Sequence, residues 1–428
     1  MKLISQRIRG MQDVLFSDGQ RWNALCNLMQ KEAQVYGFQY ARTPAVEHTE
    51  LFERSSGDSS DIVNKEMYTF EDKSGRKVSL RPEGTAGIMR AVLESGVSNH
   101  ALPMKLMYNA SCYRYEKPQS GRYREFFQFG LEIFGSSSIL AEVQLIKVAK
   151  RIIEKIGINN VSLEINSIGC SECRKNYIDM LKKYFYENKE KLCKTCISRL
   201  EKNPLRIFDC KEVSCKNICD KAPLITEHLC KECEDHFSAL KKKLDLINID
   251  YTVNPRIVRG LDYYTGTVFE FITNISDTSL TVCGGGRYDK LSEILGGSFL
   301  PAVGLGFGIE RLIMAIDEQG LNLKFTDHPL IYIASMDEKS ATFAEDLCEK
   351  LRKVSIYVEN DISERSLKAQ IKHASKIGSE FLIVLGEEEI NSGMAKIRNM
   401  NNAEEKTISI GADFLTEIYS LKSKNSFV

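Results

Sequence analysis

The sequence predicts an α+β chain in which a mixed, mainly antiparallel sheet domain carries a helical cysteine-rich insertion and is followed by a small α/β domain. Two long strand-like stretches joined by a polar loop predict the sheet. Nine of the thirteen cysteines fall within 64 residues and mark the insertion, and strand patterns alternate with helix patterns from Leu330 onward. We therefore expect a first domain at residues 1–325, interrupted by the insertion at 170–248, and a second domain at 326–428.

The composition is typical of an ordinary folded protein. Of the 428 residues, 43% are hydrophobic and 27% are charged, close to the globular average. Basic and acidic residues both number 58, so the net charge is zero and a nucleic acid would have to be bound by local basic patches. No apolar run reaches the roughly 18 to 20 residues of a membrane span, and residues 1–12 lack the apolar centre of a secretion signal. We expect a cytoplasmic protein without membrane contact.

The first elements follow from local patterns. Residues 18–37 carry apolar side chains at spacings of three and four behind an N-capping aspartate, which predicts a helix. The strand-like stretch 38–45 contains Pro44, which cannot donate a hydrogen bond to a neighbouring strand, so it indicates an edge strand, a bulge or an interface. The next predicted elements are two short strands around a turn and a helix, at 67–70, 77–80 and 85–93.

A long strand pair forms the centre of the predicted first domain. Residues 105–114 and 125–134 both read as strands, and the polar loop between them contains Gly121, so we expect antiparallel pairing. At 304–311 a glycine-rich strand turns into an apolar helix, and the polar stretch after it is the expected domain boundary. The remaining predicted elements are a helix at 140–156 and strands at 161–165, 251–258 and 267–273.

The second domain is predicted from strand and helix patterns in alternation. Helical crossovers between consecutive strands imply parallel pairing with right-handed connections. The strands are expected at 330–334, 355–359, 381–386, 394–399 and 406–410, and the helices at 339–353 and 366–377.

The loop between the two long strands is a candidate anion site. It contains Arg114 and Arg122, and guanidinium groups suit phosphate because they donate paired hydrogen bonds and stay charged. A solvated hairpin loop is the ordinary alternative. In the following strand, alternation places Gln128 and Glu132 on one face among apolar residues, which is typical of a pocket lining or of a half-exposed strand.

Two further stretches are candidate parts of a site. Residues 259–264 (RGLDYY) place a fixed cation, an acid and two tyrosines directly after a strand, although packed tyrosines in a turn would give the same pattern. Residues 284–289 (GGGRYD) offer glycines through which backbone N–H groups could approach a ligand before a helix begins. The chain has neither a P-loop motif nor a GxGxxG motif opening a βαβ unit, which disfavours the usual nucleotide folds.

Together these segments resemble the signature motifs of class II aminoacyl-tRNA synthetases, and specifically those of the histidyl-tRNA synthetase family. The first helix with the strand that carries Pro44 is similar to motif 1, residues 113–134 to motif 2 and residues 304–311 to motif 3. RGLDYY and GGGRYD resemble the two histidine-specific signatures, and residues 80–85 (LRPEGT) also match. The resemblance implies that the chain activates L-histidine with ATP to histidyl-adenylate and passes the histidyl group to the 3′ end of its tRNA.

The resemblance also implies which residues bind ATP. Arg114 and Arg259 would be the catalytic residues, holding the α-phosphate from two sides while negative charge spreads over its oxygens. Arg122 and Arg311 would contact the outer phosphates and the adenine, Glu116 would lie near the nucleotide, and Mg2+ would screen the triphosphate.

For the amino acid, the resemblance implies that Glu83 and Thr85 take the α-ammonium group and that Glu132 and Tyr264 grip the two imidazole nitrogens. A buried site that requires two hydrogen bonds from the ring discriminates by about 10⁴ or more, because another amino acid leaves its polar groups unpaired. The implied histidine-binding set is Glu83, Thr85, Arg114, Gln128, Glu132, Arg259, Tyr263, Tyr264 and Tyr288.

The resemblance further implies a tRNA-binding role for the second domain, which matches the family's anticodon-binding domain in position, and a homodimer built on motif 1. The sequence does not choose among the basic candidates for tRNA contact, Arg352, Lys368, Lys372 and Arg398. One alternative is the regulatory subunit of ATP phosphoribosyltransferase, which typically lacks the C-terminal domain and has degraded signatures. Another is a class II synthetase for threonine, proline or glycine, which the RGLDYY signature disfavours.

The cysteine cluster predicts a metal site independently. Three C-x-x-C pairs with two further cysteines supply eight thiols, the number needed for two tetrahedral four-thiolate zinc sites. His228 and His236 are alternative ligands, the spacing does not fix the pairing, and Cys219 is left over. Structural zinc would support a segment with too little core of its own; alternatively, the free cysteines are small core residues of a helical insertion. The eight candidates are Cys170, Cys173, Cys193, Cys196, Cys210, Cys215, Cys230 and Cys233.

Overall fold

The computed structural model describes residues 5–57, 60–210, 212–257, 259–275, 278–323 and 328–425. The chain forms two compact units, residues 1–323 and 324–428. Across the described ranges, no helix is both long and apolar enough to cross a lipid bilayer.

A mixed sheet of eight strands is the centre of the first unit. The strands of this unit are β1 Gln39–Tyr40, β2 Val46–His48, β3 Thr69–Glu71, β4 Lys77–Leu80, β5 Met104–Tyr113, β6 Glu125–Phe134, β7 Ser162–Ser167, β8 Thr252–Val253, β9 Thr267–Ile275, β10 Thr278–Arg287 and β11 Ala302–Gly308. The large sheet has the order β1-β5-β6-β11-β10-β9-β7-β8, and β2-β4-β3 form a separate small sheet. Only β1 with β5 and β7 with β8 pair in parallel among the described strands of this unit, so the predicted mixed, mainly antiparallel sheet is confirmed.

Helices cover the large sheet and build the insertion. They are α1 Phe16–Val35, α2 Thr49–Ser56, α3 Thr85–Glu94, α4 Ile139–Ile156, α5 Ser171–Glu187, α6 Lys194–Lys202, α7 Val213–Cys219, α8 Lys231–Leu246, α9 Leu291–Ile294 and α10 Ile309–Glu318. The start of α4 is fixed by Ser138, whose side chain accepts a hydrogen bond from the Leu140 N–H, and Gly157 in the left-handed conformation ends it. The apolar faces of α1 and α4 pack on the sheet and bury residues such as Leu25, Ile146 and Ile152.

The strand pair β5 and β6 supplies the framework of the site. The two strands pair from Met104 opposite Phe134 to Tyr113 opposite Glu125, within one residue of the predicted bounds. Strand alternation therefore places Gln128 and Glu132 on one face, as the sequence predicts.

Three predictions differ clearly from the structure. Of the predicted strand 251–258, whose last residue lies outside the described ranges, only β8 forms. Of the predicted strand 38–45, only β1 forms, at the edge of the large sheet beside β5, and Pro44 lies between β1 and β2. The glycine run 284–286 lies inside β10 rather than in a loop before a helix, because β9 and β11 pair with it on both sides.

The insertion is helical, as predicted, and consists of α5 to α8 with short 3-10 helices at Lys189–Lys191, Pro204–Asp209 and Ile225–Glu227. Its side chains form an apolar cluster separate from the main core, which includes the fully buried Leu181, Phe185 and Leu200. The expectation that this segment has too little core of its own is therefore wrong.

The second unit is the predicted α/β domain. Its strands are β12 Ile331–Ser335, β13 Val358–Asn360, β14 Phe381–Leu385, β15 Met394–Asn399 and β16 Glu405–Ser409, in the order β13-β12-β14-β15-β16. The first three are parallel and the last two are antiparallel. Its helices are α11 Glu338–Lys353, α12 Leu367–Lys376, α13 Glu387–Ser392 and α14 Phe414–Asn425, of which the sequence analysis predicts the first two.

Candidate active site

A buried carboxylate, Glu132, is the centre of a polar cluster of side chains beside β6. Thr85 Oγ1 donates a hydrogen bond to Glu132 Oε1 at 2.8 Å, and the Tyr288 hydroxyl donates to Oε2. Glu132 has no exposed surface, and this burial raises its pKa to about 8 despite both hydrogen bonds. Thr85 is the first residue of α3, and Tyr288 directly follows β10. The ends of these two elements therefore place both side chains beside Glu132.

A second buried carboxylate, Glu83, precedes α3. The backbone N–H groups of Thr85 and Ala86 donate to it at 2.6 and 2.9 Å, so it satisfies two free amides at the helix N-terminus. Burial raises the pKa of Glu83 above its ordinary value, although these hydrogen bonds oppose the shift. Two buried carboxylates are thus joined through Thr85, and together they suit a ligand carrying positive charge or N–H donors.

Three tyrosines, Tyr263, Tyr264 and Tyr288, pack against one another in the cluster around Glu132. The rings of Tyr263 and Tyr264 lie 4.8 Å apart, and the ring of Tyr288 lies 5.5 Å from Tyr263 and 6.3 Å from Tyr264. Gln128 joins them through its Oε1, which accepts hydrogen bonds from the Gly84 N–H at 3.1 Å and the Tyr108 hydroxyl at 3.3 Å. The structure therefore brings together residues predicted to bind the amino acid, and they come from four separate parts of the chain.

An open cleft of about 470 Å³ lies on the same face of the sheet. Four arginines line it, namely Arg114, Arg122, Arg259 and Arg311, together with Glu116, Gln128 and Tyr264. Since Gln128 and Tyr264 line the cleft and also pack in the buried cluster around Glu132, the cleft directly adjoins this cluster. This arrangement can hold a polyanion next to a smaller polar ligand.

Arg114 and Arg259 are each fixed by their surroundings. Arg114 Nε donates to the Pro82 carbonyl at 2.9 Å, and its guanidinium lies 5.2 Å from the ring centre of Phe126. Arg259 forms an ion pair with Glu270. Within the described part of the chain, the buried Nε of Arg259 has no hydrogen-bond partner, so one donor of this guanidinium is unused.

The loop between β5 and β6 supplies the other charged groups of the cleft. Arg122 and Glu116 form an ion pair at 3.2 Å. Arg311, at the start of α10, donates to the Gly121 carbonyl at 3.2 Å and to the Thr281 carbonyl at 2.9 Å, which joins the loop to β10. Burial, followed by repulsion from Arg122 and Arg114, lowers the pKa of Arg311, and this positive field favours an anion.

The sequence analysis missed three residues of the site. Glu270 and Glu310 line the cleft, and Tyr108 contacts Gln128. Burial raises the pKa of Glu310 to about 7, and the Phe127 N–H donates to its carboxylate at 2.9 Å. A charged residue between phenylalanines in a strand was the available signal for Glu270, and the acid before Arg311 was the signal for Glu310.

The cysteines of the insertion form two groups of four thiols. Each group brings its sulfur atoms within 4.8 Å of one another, and the groups are Cys170, Cys173, Cys230, Cys233 and Cys193, Cys196, Cys210, Cys215. Among the described residues, His228 and His236 belong to neither group, and His236 Nε2 instead lies 2.6 Å from Glu142 Oε1. Cys219 is left over, as the sequence analysis expects.

Comparison with known proteins agrees with this geometry. A model of histidyl-tRNA synthetase matches residues 10–180 and 211–312, and a model of an anticodon-binding domain matches residues 330–418. The chain belongs to the histidyl-tRNA synthetase family. It is 48% identical to a histidine–tRNA ligase of Caldanaerobacter subterraneus subsp. tengcongensis and 46% identical to one of Acetivibrio thermocellus, in each case over 95% of this chain and 98% of the relative.

Solved structures of the family show the same architecture. The apo histidyl-tRNA synthetase of S. aureus superposes with a TM-score of 0.81 at 33% identity, covering 97% of this chain and all of that one. The match extends through the second unit, so the class II fold with an anticodon-binding domain is confirmed.

Proposed function

We propose that this family member activates L-histidine with ATP, giving histidyl-adenylate and pyrophosphate, and then transfers the histidyl group to the 3′ end of histidine tRNA. It is an ATP-dependent ligase of the aminoacyl-tRNA synthetase class. The observation that carries the detailed proposal is that the four-arginine cleft adjoins the buried cluster around Glu132, which we assign as the histidine pocket.

In this proposal, Arg114 and Arg259 are the catalytic residues and hold the α-phosphate from two sides. In-line attack by the histidine carboxylate places extra negative charge on the non-bridging oxygens, and cations fixed before the reaction stabilise that charge. The unused Nε of Arg259 and the contacts that immobilise Arg114 support these roles.

The outer part of the nucleotide is assigned to the remaining charges of the cleft. Arg122 and Arg311 take the outer phosphates and the adenine, and Glu116 lies near the nucleotide. Binding of ATP would compete with the Arg122–Glu116 ion pair, which is half exposed and therefore weak. Mg2+ accompanies the triphosphate because it prefers phosphate and carboxylate oxygens.

The amino acid is assigned to the pocket. Glu83 and Thr85 take the α-ammonium group, while Glu132 accepts from one imidazole N–H and the Tyr264 hydroxyl donates to the other nitrogen. Gln128, Tyr263 and Tyr288 complete the pocket, and Arg114 and Arg259 contact the carboxylate end of histidine. An amino acid without both ring nitrogens leaves buried polar groups unpaired, which supports selection without further proofreading.

The proposal extends to domains and partners. Residues 1–325 form the catalytic domain, with the cysteine-rich insertion at 170–248, and residues 326–428 bind the anticodon region of the tRNA. We also propose a cytoplasmic homodimer that uses the motif 1 region, because β1 is an edge strand and the Tyr40 side chain on it is about half exposed. A monomeric mass in solution at micromolar concentration would contradict the dimer. Structural zinc in the insertion is a separate proposal.

ATP–pyrophosphate exchange with each standard amino acid in turn tests the proposal, because this assay requires no tRNA. Exchange with histidine alone is expected. Exchange with a different amino acid would overturn the roles of Glu132 and Tyr264. No exchange with any amino acid would favour the regulatory subunit of ATP phosphoribosyltransferase, an alternative that the matched anticodon-binding domain disfavours.

A further inference from the structure

The two four-thiol groups of the insertion have the dimensions of metal sites. Cys170 Sγ and Cys173 Sγ lie 3.6 Å apart, and Cys193 Sγ and Cys210 Sγ lie 3.8 Å apart. A tetrahedral zinc site with Zn–S bonds of about 2.3 Å has sulfur–sulfur edges of about 3.8 Å. A disulfide would require about 2.05 Å. The spacing fits four thiolates around one ion better than paired cystines.

The local backbone also fits metal binding. Cys170, Cys193 and Cys230 each occupy the N-cap of a helix, so the second cysteine of each C-x-x-C pair falls in the first helical turn. Helix N-termini favour negative charge, and zinc binds the thiolate form. Backbone N–H groups also donate to the sulfurs: Cys230 N lies 3.0 Å from Cys173 Sγ, and Cys193 N lies 3.3 Å from Cys215 Sγ. Such contacts orient and stabilise metal-bound thiolates.

We propose that each group binds one structural zinc ion. We further propose that the ion bound by Cys170, Cys173, Cys230 and Cys233, called the outer ion, positions the loop that carries Tyr263 and Tyr264, called the histidine-binding loop. The outer group is Cys170, Cys173, Cys230 and Cys233, which joins the first and last helices of the insertion. The inner group is Cys193, Cys196, Cys210 and Cys215, of which the first three lie in residues 181–210, where the family model has no match. Three of the four inner cysteines therefore lie in a part of the chain that the family model does not match, and Cys215 lies within its matched range.

The outer group lies directly beside the loop that carries Tyr263 and Tyr264. Arg174 follows Cys173 in the first turn of α5 and donates to the carbonyls of Asp262 at 3.0 Å and Tyr264 at 3.1 Å. Arg174 is thus a positioning residue, because it holds the backbone that presents both tyrosines.

Two backbone hydrogen bonds strengthen the same connection. Ile168 N donates to the Gly266 carbonyl at 2.8 Å, and Gly266 N donates to the Gly169 carbonyl at 2.9 Å. Residues 168–169 immediately precede Cys170, the first cysteine of the outer group. A zinc ion that fixes Cys170 and Cys173 therefore also fixes the first turn of α5 and the far end of the histidine-binding loop.

Zinc content is the first test, on full-length protein purified without chelator. Elemental analysis is expected to give about two zinc ions per chain for wild type, about one for Cys233→Ser and about one for Cys210→Ser. Cys219→Ala is the matched control, since Cys219 is a buried cysteine of the same segment outside both groups, and it should keep both ions. Zinc near zero in wild type, or unchanged zinc in either serine variant, would overturn the metal assignment.

Pyrophosphate exchange is the second test, and this part of the inference rests on the proposed function. Cys233→Ser and Arg174→Ala should each raise the KM for histidine by about tenfold, equivalent to about 1.4 kcal/mol, and leave the KM for ATP unchanged. Arg174→Lys should recover part of the loss because it keeps a donor, and Cys219→Ala should behave as wild type. Equal effects on both KM values, or none on either, would refute the positioning role.

Failure of a variant to fold, or of the proposed function, can be distinguished from failure of the zinc assignment. If Cys233→Ser does not fold, chelator treatment of wild-type protein followed by zinc addition should raise and then restore the KM for histidine; failure of this cycle to move that KM would refute the coupling. If wild type exchanges with no amino acid, the proposed function fails, whereas the zinc counts still decide the metal sites.

Discussion

Replacing Gly304 by alanine should disable the histidine pocket with little effect on ATP binding. Gly304 in β11 lies directly opposite Glu132 in β6, so a side chain at this position would share the face on which the carboxylate lies. A Cβ atom built there overlaps Glu132 Oε2 and comes within 2.8 Å of the Tyr288 hydroxyl. Because neither neighbour is the free end of an exposed side chain, the carboxylate itself would have to move.

The size of the effect follows from what Glu132 would lose. It accepts hydrogen bonds from Thr85 and Tyr288 and has no exposed surface. With a pKa of about 8 the carboxyl is mostly neutral at pH 7, where a hydrogen bond contributes about 0.5–1.5 kcal/mol, so displacement that breaks both contacts costs about 1–3 kcal/mol. If the imidazole is bound by the same carboxylate, kcat/KM for histidine should fall by about 5- to 150-fold. Overpacking should also lower the free energy of unfolding by about 1–3 kcal/mol.

Exchange kinetics in which histidine and ATP are varied separately measure this effect. The expected pattern is a large loss of kcat/KM for histidine with an unchanged KM for ATP. Gly19→Ala is a suitable control, because its Cβ would meet only the Val14 carbonyl, at an ordinary 3.6 Å. A Gly304→Ala enzyme with wild-type kcat/KM for histidine would refute the assignment of the pocket.

Four further predictions concern the site and the fold. Arg259→Ala should reduce the rate of adenylate formation far more than histidine binding, measured by single-turnover kinetics and equilibrium binding; equal losses would contradict its role on the α-phosphate. Glu142→Ala should lower the free energy of unfolding by about 1.5–3 kcal/mol in denaturant titration, because buried Arg287 loses its carboxylate partner at 2.6 Å and keeps the ion pair with Asp289 at 2.9 Å. Since the folded-state pKa of Glu132 is raised from 4.5 to about 8, the free energy of unfolding should fall as pH rises between these values, by up to about 1.4 kcal/mol per pH unit, and Glu132→Gln should lack this component. Deletion of residues 330–428 should preserve some adenylate formation and abolish efficient tRNA charging, and unchanged charging would argue against a tRNA-binding role for this region.

The sequence predicted those parts of the fold that depend on local pattern. Strand alternation correctly placed Gln128 and Glu132 on one face of β6, because this strand pairs on both sides without a register shift. The strand-to-helix change at 304–311 and the alternating elements of the second unit were likewise visible, since each depends on residues close together in the chain.

The sequence could not predict contacts between distant segments. Arg259 pairs with Glu270 only because the loop before β9 folds back over that strand. The cysteine pairing has the same origin: Cys173 is closer in sequence to Cys193 than to Cys230, yet the helices bring it to Cys230. The sequence shows how many thiols are present, whereas tertiary packing determines which of them lie close together.

The glycines explain why these distant contacts can form at all. Gly130 lies opposite Tyr108, and a Cβ at this glycine would overlap the tyrosine ring. At Gly284 a Cβ would come within 2.6 Å of the Arg259 guanidinium. Long polar side chains can therefore lie flat across the sheet only where the neighbouring strand has no side chain, as at Gly304. The glycine-rich segments thus serve the site chiefly by leaving room for its side chains. Their sequence pattern, interpreted as a loop whose backbone N–H groups approach a ligand, did not reveal this role.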